Sequence, residues 1–311
     1  MSIEFVTVAE SSFAPHLLNL YRSIERVAPD FHLTVACVDS ALLEIIGQLD
    51  LTCASTLDVS SAPFPELEVA RATRTVGEYC WTLTPFLPRL AFAHRDIDCV
   101  TYVDADMWFL RSPLAAFREF ERSGADCMIT PHAYSPDWDA TRESGYFCVQ
   151  FLPVKRYAAD DIMSLWGQQC VEFCSAESTA GGLGDQAYLE DWPVRYGERV
   201  RVTKTPQWFQ GPWNCQRFPY SEALTYHFHG LRIRSERRAW IGTNPIPKPT
   251  LRNVYAPYLA ELRRSVDALA AIGHTPRYWG HPMNPKHRMA SMLSRLKRSA
   301  DSMWPARSAS F

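Results

Sequence analysis

Several features are missing from this 311-residue chain, and each absence removes a class of protein. There is no run of about 18 uninterrupted apolar residues, so nothing reads as a membrane-spanning helix. The amino terminus, MSIEFVTVAESS, lacks the basic start and long apolar run of a secretory leader, and the expected location is cytoplasmic. The nine cysteines are odd in number, scattered and without closely spaced pairs, which indicates neither a disulfide framework nor a structural zinc site. Cys170 and Cys174, four apart on an expected helix, read as buried thiols. Internal repeats and low-complexity tracts are absent as well. Net charge is only -2, but it is unevenly spread. Between Leu251 and Phe311 ten Lys and Arg stand against three Asp and Glu, whereas before Leu251 22 stand against 31. The body is acidic, which disfavours nucleic acid as a partner.

What is present is apolar content, 47% of the chain, enough for a core in one large domain or two modest ones. The first half alternates. Ile3–Ala9 reads as a strand, Pro15–Ala28 as a helix with Leu17, Leu18, Tyr21 and Ile24 on one face, and His32–Asp39 as a strand. A short helix, the segment Leu51–Val59 and a helical region over Arg71–Phe92 follow. Such alternation predicts an α/β sheet with parallel pairs. Asp98–Val103 is too short and β-rich for anything but an internal strand, with Ser112 and Pro113 as cap and first residue of the next helix. Asp126–His132 and Gly145–Val154 read as strands, Asp160–Cys174 as a helix, Gly181–Trp192 as a Gly-rich turn entering a helix, and Ala223–Ile233 as a late strand. The Pro-rich Asn244–Pro249 marks a boundary, which divides the chain into a domain over 1–250 and a basic helical tail over 251–311. Two helices are expected in the tail, Val254–Gly273 and Pro285–Trp304.

The segment VTYVDADMWFL sets Asp104 and Asp106 on either side of Ala105, just past the end of a strand and before more apolar bulk. In open α/β sheets the carboxyl ends of the strands are where ligands bind. Buried charge is costly without a partner. Two readings stand: both carboxylates hold a hard divalent cation, or one points into a cleft while the other caps the following turn. Further along, YHFHGL places His227 and His229 two apart, on one face if the segment is a strand, with Gly230 allowing close backbone approach. Two carboxylates plus an imidazole suit manganese, with magnesium as the alternative.

With these motifs in order, the chain resembles nucleotide-sugar-dependent glycosyltransferases of the GT-A fold, in particular glycosyltransferase family 8 with its glycogenin-like and lipopolysaccharide-galactosyltransferase relatives. The likeness rests on VTYVDAD, on the Asp185–Gln186 pair in GLGDQAYLED and on HFHG at His227–Gly230, and covers Ile3 to Arg234. It implies a Rossmann-like three-layer sandwich with a mostly parallel mixed sheet and a helical carboxyl-terminal extension. It also implies a nucleotide-sugar donor, a glycan or glycolipid acceptor and retention of anomeric configuration. Asp104, Asp106 and His227 become the metal ligands, and Asp185 and Gln186 the catalytic positions, with an N-cap as the other reading of Asp185. Ala9, Glu10, Arg74, Thr84, Asp104, Ala105, Gly230 and Arg232 become donor contacts. Departures are visible. Cys148 and Gln150 stand where the family has Asn and Gly. Thr84 replaces a basic residue for which Arg71, Arg74 or Arg89 can stand in. A Lys-Pro-Trp after the histidine motif is missing, with Arg232 or Arg234 in its stead.

Trp208–Asn214 offers aromatics for an acceptor sugar or, alternatively, plain core. In the tail, Met289, Met292, Leu293 and Leu296 share a helical face among basic residues, which suits contact with an anionic membrane or packing on the acidic body. Two rival functions are a haloacid-dehalogenase-like phosphatase built on the Asp-x-Asp, and a nucleotide- or carbohydrate-binding protein without turnover.

Overall fold

The computed structural model describes residues 2–59, 64–176, 184–235, 237–277 and 308–310. The expected helix over Pro285–Trp304 and most of the glycine turn before Asp185 fall outside them. The first elements are β1 (Ile3–Ala9), α1 (Ala14–Val27), β2 (Phe31–Cys37), α2 (Ser40–Gln48) and β3 (Ala54–Asp58). A helical stretch, α3 (Glu66–Thr73), α4 (Val76–Leu83) and α5 (Leu87–His94), leads to β4 (Cys99–Val103). Then come β5 (Met107–Phe109), α6 (Leu114–Ser123), β6 (Cys127–Pro131), α7 (Thr141–Ser144), β7 (Phe147–Cys148), β8 (Phe151–Lys155) and α8 (Ile162–Glu172). The remainder comprises α9 (Trp192–Tyr196), β9 (Val200–Val202), β10 (Phe209–Gln210), β11 (Thr225–His227), β12 (Arg232–Ser235), β13 (Arg238–Trp240), α10 (Lys248–Thr250), α11 (Ala256–Ala271) and β14 (Ser308–Ser310).

The main sheet runs β3-β2-β1-β4-β8-β6-β7, with β9 beside β6. Pairs β1–β2, β2–β3, β1–β4 and β6–β9 are parallel, and β8 runs antiparallel to both β4 and β6. Helices cover both faces because the strands are apolar on both. Along β1, Phe5 and Ala9 join a core with Leu17 and Ile24 of α1 and Phe120 of α6, while Val6 and Val8 point to a second core with Leu83, Phe86 and Trp166. That alternation is the two-residue period of a strand buried on both sides.

Several local expectations are revised. The helix after the Asp pair begins at Leu114, with Pro113 at the cap and no side-chain capping bond, so Ser112 does not cap it. Gly145–Val154 is two strands, β7 and β8, broken by a turn at Val149–Gln150. Ala223–Ile233 is likewise two, β11 and β12, separated by a turn in which Gly230 takes a φ of 77°. The segment after Asp185 is a 3-10 turn over Gln186–Asp191 before the short α9.

A third core joins Trp108, Tyr226, Phe228 and Ile233 to Tyr258 and Leu262 of α11. Polar bonds reinforce it: Asn19 Nδ2 donates to the Tyr258 carbonyl at 3.2 Å, Ser265 Oγ to Asn19 Oδ1 at 2.8 Å, and Arg22 pairs with Glu261 at 2.8 Å. The first part of the expected tail is therefore packed on α1. Among the described residues, no helix is long and apolar enough to cross a membrane.

Candidate active site

Val103 ends β4, and the chain turns through Asp104-Ala105-Asp106 into β5, which leaves the main sheet. There β5 pairs antiparallel with β11, Met107 opposite His227 and Trp108 opposite Tyr226. The Phe228 amide donates to the Asp106 carbonyl at 3.0 Å, and the Met107 amide to the Asp104 carbonyl at 3.1 Å. This small ladder carries the histidine to the carboxylates.

His227 Nε2 lies 3.0 Å from Asp106 Oδ1, and Nδ1 lies 3.6 Å from Asp104 Oδ2. The second distance is too long for a hydrogen bond, and buried Nδ1 has no partner. Burial opposes a charge on His227, but the Asp106 carboxylate outweighs it and holds the ring protonated well above its usual range. Burial likewise opposes ionisation of Asp106, yet the imidazolium keeps that carboxyl well below the ordinary carboxylate range. Asp104 differs: burial pushes it up to about 6 against the pull of His227, and Tyr102 donates to its Oδ1 at 2.6 Å. Among the described residues no three His, Cys, Asp or Glu side chains are spaced as a closed metal cage. The imidazole spends Nε2 on Asp106 and turns Nδ1 toward Asp104 without bonding it. The donor set, two carboxylates and an imidazole nitrogen left without a partner, nevertheless has the chemistry of a divalent-cation site.

Asp185 is buried and joins the same group through side chains rather than sequence proximity. Burial and the Asp104 charge push its carboxyl up to about 7, and the Thr84 hydroxyl bonds to it. Thr84 also bonds Tyr102, so a chain of contacts runs from Asp185 through Thr84 and Tyr102 to Asp104. Asp185 makes no side-chain bond to cap the turn that follows it. Gln186 is tied down: its Nε2 donates to the Ser144 carbonyl at 2.6 Å.

The other expected contacts divide. Ala9 ends β1 beside Cys37, and Glu10 caps the following turn by accepting from the Ser12 amide at 3.0 Å. Ala105 is buried between the two carboxylates. Arg232 lies over the Phe13 ring at 5.5 Å, and its charge reaches His16. Arg74 is a correction. Its guanidinium donates to the Cys170 and Val171 carbonyls at 2.6 and 2.5 Å, so it closes the end of α8 instead of standing in for a donor-binding base. His229 falls beyond the end of β11 and is exposed, but its ring still meets those of His227 at 5.7 Å and Trp213 at 6.2 Å, so the two histidines lie side by side although the strand does not run through both.

Tyr102 was not anticipated, while Cys148 and Trp213 stood out only as a departure from the family pattern and as part of the aromatic Trp208–Asn214 stretch. Tyr102 carried a signal, since two residues before Asp104 on a strand is the same face. The Cys148 thiol lies beside His227, and Trp213 sets its ring edge-on to His227 at 5.3 Å. Neither contact has a sequence signature, because both come from segments distant along the chain. A separate groove of about 580 Å³, lined in part by Asp98, Phe117, Phe120, Lys155 and Tyr157, opens at the opposite end of β4 from these carboxylates.

No protein-family model matches the chain. Two proteins of Bacillus subtilis (strain 168) are similar to it. Uncharacterized protein YfnD is 26% identical over 287 residues, 86% of this chain and 91% of its own. Uncharacterized protein YfnF is 25% identical over 258 residues, 76% of this chain and 84% of its own. Among solved structures, apo mouse xyloside xylosyltransferase 1 superposes with a TM-score of 0.50 at 16% identity, over 74% of this chain and 98% of that one. Galactosyltransferase LgtC, bound to donor and acceptor sugar analogues, gives 0.54 at 13% identity, over 85% and 96%. Likeness at this identity establishes a shared fold, the GT-A fold expected from the sequence.

Proposed function

We propose that this chain is a glycosyltransferase that moves a sugar from a nucleoside-diphosphate sugar, a UDP-sugar in the first instance, to a glycan or glycolipid acceptor. The observation that carries the reading is the convergence of Asp104, Asp106 and His227 at the carboxyl end of β4, on a fold shared with two sugar transferases. Asp104, Asp106 and His227 would hold a divalent cation, manganese or magnesium. Such a cation supplies Lewis-acid stabilisation to the diphosphate as it leaves.

The remaining work belongs to the protein's own side chains. His227 must release its proton before its nitrogen can serve as a ligand. Tyr102 orients Asp104 through its hydroxyl. Asp185, with its carboxyl raised to about 7, retains a proton near neutral pH and can donate it in a hydrogen bond to a sugar hydroxyl. Arg232 brings positive charge to the side of the cluster where a diphosphate would need it. Retention of configuration follows from the family-8 resemblance. The phosphatase reading fits less well, because three strands precede β4, the strand that leads into the Asp pair, and the bulky Trp108 follows the pair.

Calorimetric titration of UDP and GDP, with and without manganese, tests the proposal on the native chain and on Asp106→Ala. Nucleotide binding that needs the metal, and is lost in the variant, is the expected result. Absence of nucleotide binding under every condition would sink the reading, and Asp104 and Asp106 would revert to turn residues.

A further inference from the structure

We infer that the groove at the far end of β4 is a second glycan site, which holds a stretch of a neutral oligosaccharide away from the reacting end of the acceptor. The inference rests on the glycosyltransferase reading above for the class of ligand, and adds a place where that ligand is gripped.

The groove lies where β4 begins and β8 ends. Cys99 pairs with Lys155 there, so roughly 17 Å of strand separates the groove from Asp104. Its floor is aromatic: Phe117 and Phe120, three apart on α6 and therefore on one face, both line it. Tyr157, in the 3-10 turn Arg156–Ala158 that follows β8, lines the same groove and is 58% exposed. The space of about 580 Å³ falls within the ~300–1,000 Å³ range of small-molecule sites. A large ring left in water beside such a concavity offers apolar surface that the described residues leave open.

The charges around the rings decide what fits. Lys155 Nζ donates to the Gly124 carbonyl at 3.3 Å and sits over the Phe120 and Tyr157 rings at 5.4 and 5.9 Å, so its cation is already engaged. Arg156, which also lines the groove, donates to the Ile97, Phe92 and Arg95 carbonyls at 2.9, 3.2 and 3.3 Å. Asp98, Glu121 and Asp160 stand exposed on the same rim, and among the described residues their carboxylates take no hydrogen bond or ion pair. Ionised carboxylates only accept, so a ligand there must donate. An anionic ligand would meet three carboxylates and a cationic one would meet Lys155 and Arg156, so neither sign suits the whole groove. A neutral ligand rich in hydroxyl groups donates to the carboxylates, and the C–H face of a pyranose packs on an exposed ring such as Tyr157. The two kinds of contact together describe a glycan.

Saturation-transfer NMR and calorimetry on the full chain test this with three neutral probes, maltotetraose, cellotetraose and chitotetraose, and two charged ones, tetragalacturonate and tetraglucosamine. The expected result is that a neutral probe binds more tightly than either charged one. Tyr157→Ala should weaken that binding about tenfold, Asp160→Ala should weaken it less, and Asp106→Ala should leave it unchanged. Tyr157 and Asp160 are exposed, so both variants should fold, which an unchanged thermal unfolding midpoint checks. No binding of any neutral probe, a preference for a charged probe, or binding that Tyr157→Ala leaves intact would overturn the groove. Loss of binding in Asp106→Ala would place the glycan at the catalytic edge and overturn it as well. UDP titration of the same samples in manganese separates the two readings. Glycan binding without nucleotide binding would overturn the donor site and leave the groove standing, and the reverse would overturn the groove alone.

Discussion

At the scale of single residues, Asp185 is a carboxyl whose chemistry departs far from what its type suggests. Folded, its carboxyl sits near 7, against 3.8 for an ordinary aspartate. The folded state thus holds a proton that the unfolded chain releases. Its contribution to stability is fully present below about 4 and is lost as pH rises toward 7. Asp185→Asn mimics the protonated form at every pH. Relative to the native chain it should be neutral near pH 4 and progressively more stable as the pH rises from there to 7. Thermal unfolding at a series of pH values, with chelator present, reads this directly, and a pH-independent difference would contradict it.

At the scale of elements, the segment joining β10 to β11 holds the aromatic side of the cluster. Gly211 has its backbone against the Trp213 ring, and a Cβ there would lie 2.6 Å from ring carbons. The ring has little room to retreat, because His132 and His227 flank it. Gly211→Ala should therefore cost about 1–3 kcal/mol by overpacking, measured by urea unfolding. A silent substitution would mean that the ring is free to move. The β5–β11 ladder explains why so short a strand matters: its Met107–His227 register decides which histidine meets the carboxylates. From sequence, one strand over Ala223–Ile233 would have placed His227 and His229 on the same face. The strand ends at His227, yet the two rings still lie 5.7 Å apart, edge to face, so they stay neighbours without a strand through both.

At the scale of the molecule, α11 ties the carboxyl-terminal region to the body. Leu262 is fully buried, and neighbouring Tyr258 stacks on Phe228 with ring centroids 3.5 Å apart. His16 Nδ1 meets the Tyr258 hydroxyl at 2.7 Å, which connects α1 to the same point. Leu262→Ala should cost about 2–4 kcal/mol, and the loss should appear in a single cooperative transition. Two separate transitions would show that the helix folds apart from the body.

The sequence by itself determined the alternation of strands and helices, because two-residue and 3.6-residue apolar periods are local and survive without tertiary knowledge. It also determined that Asp104 and Asp106 end a central strand, since strand length and turn residues are local as well. The partnership of Tyr102 with Asp104 was within reach of the same two-residue period. Only the tertiary structure decided that Arg74 closes α8 and that Cys148, His132 and Trp213 gather around His227. Those outcomes depend on long-range pairing between β5 and β11 and on the strained turn at Ala133, with its φ of 49°, where contacts between distant segments outweigh local preference.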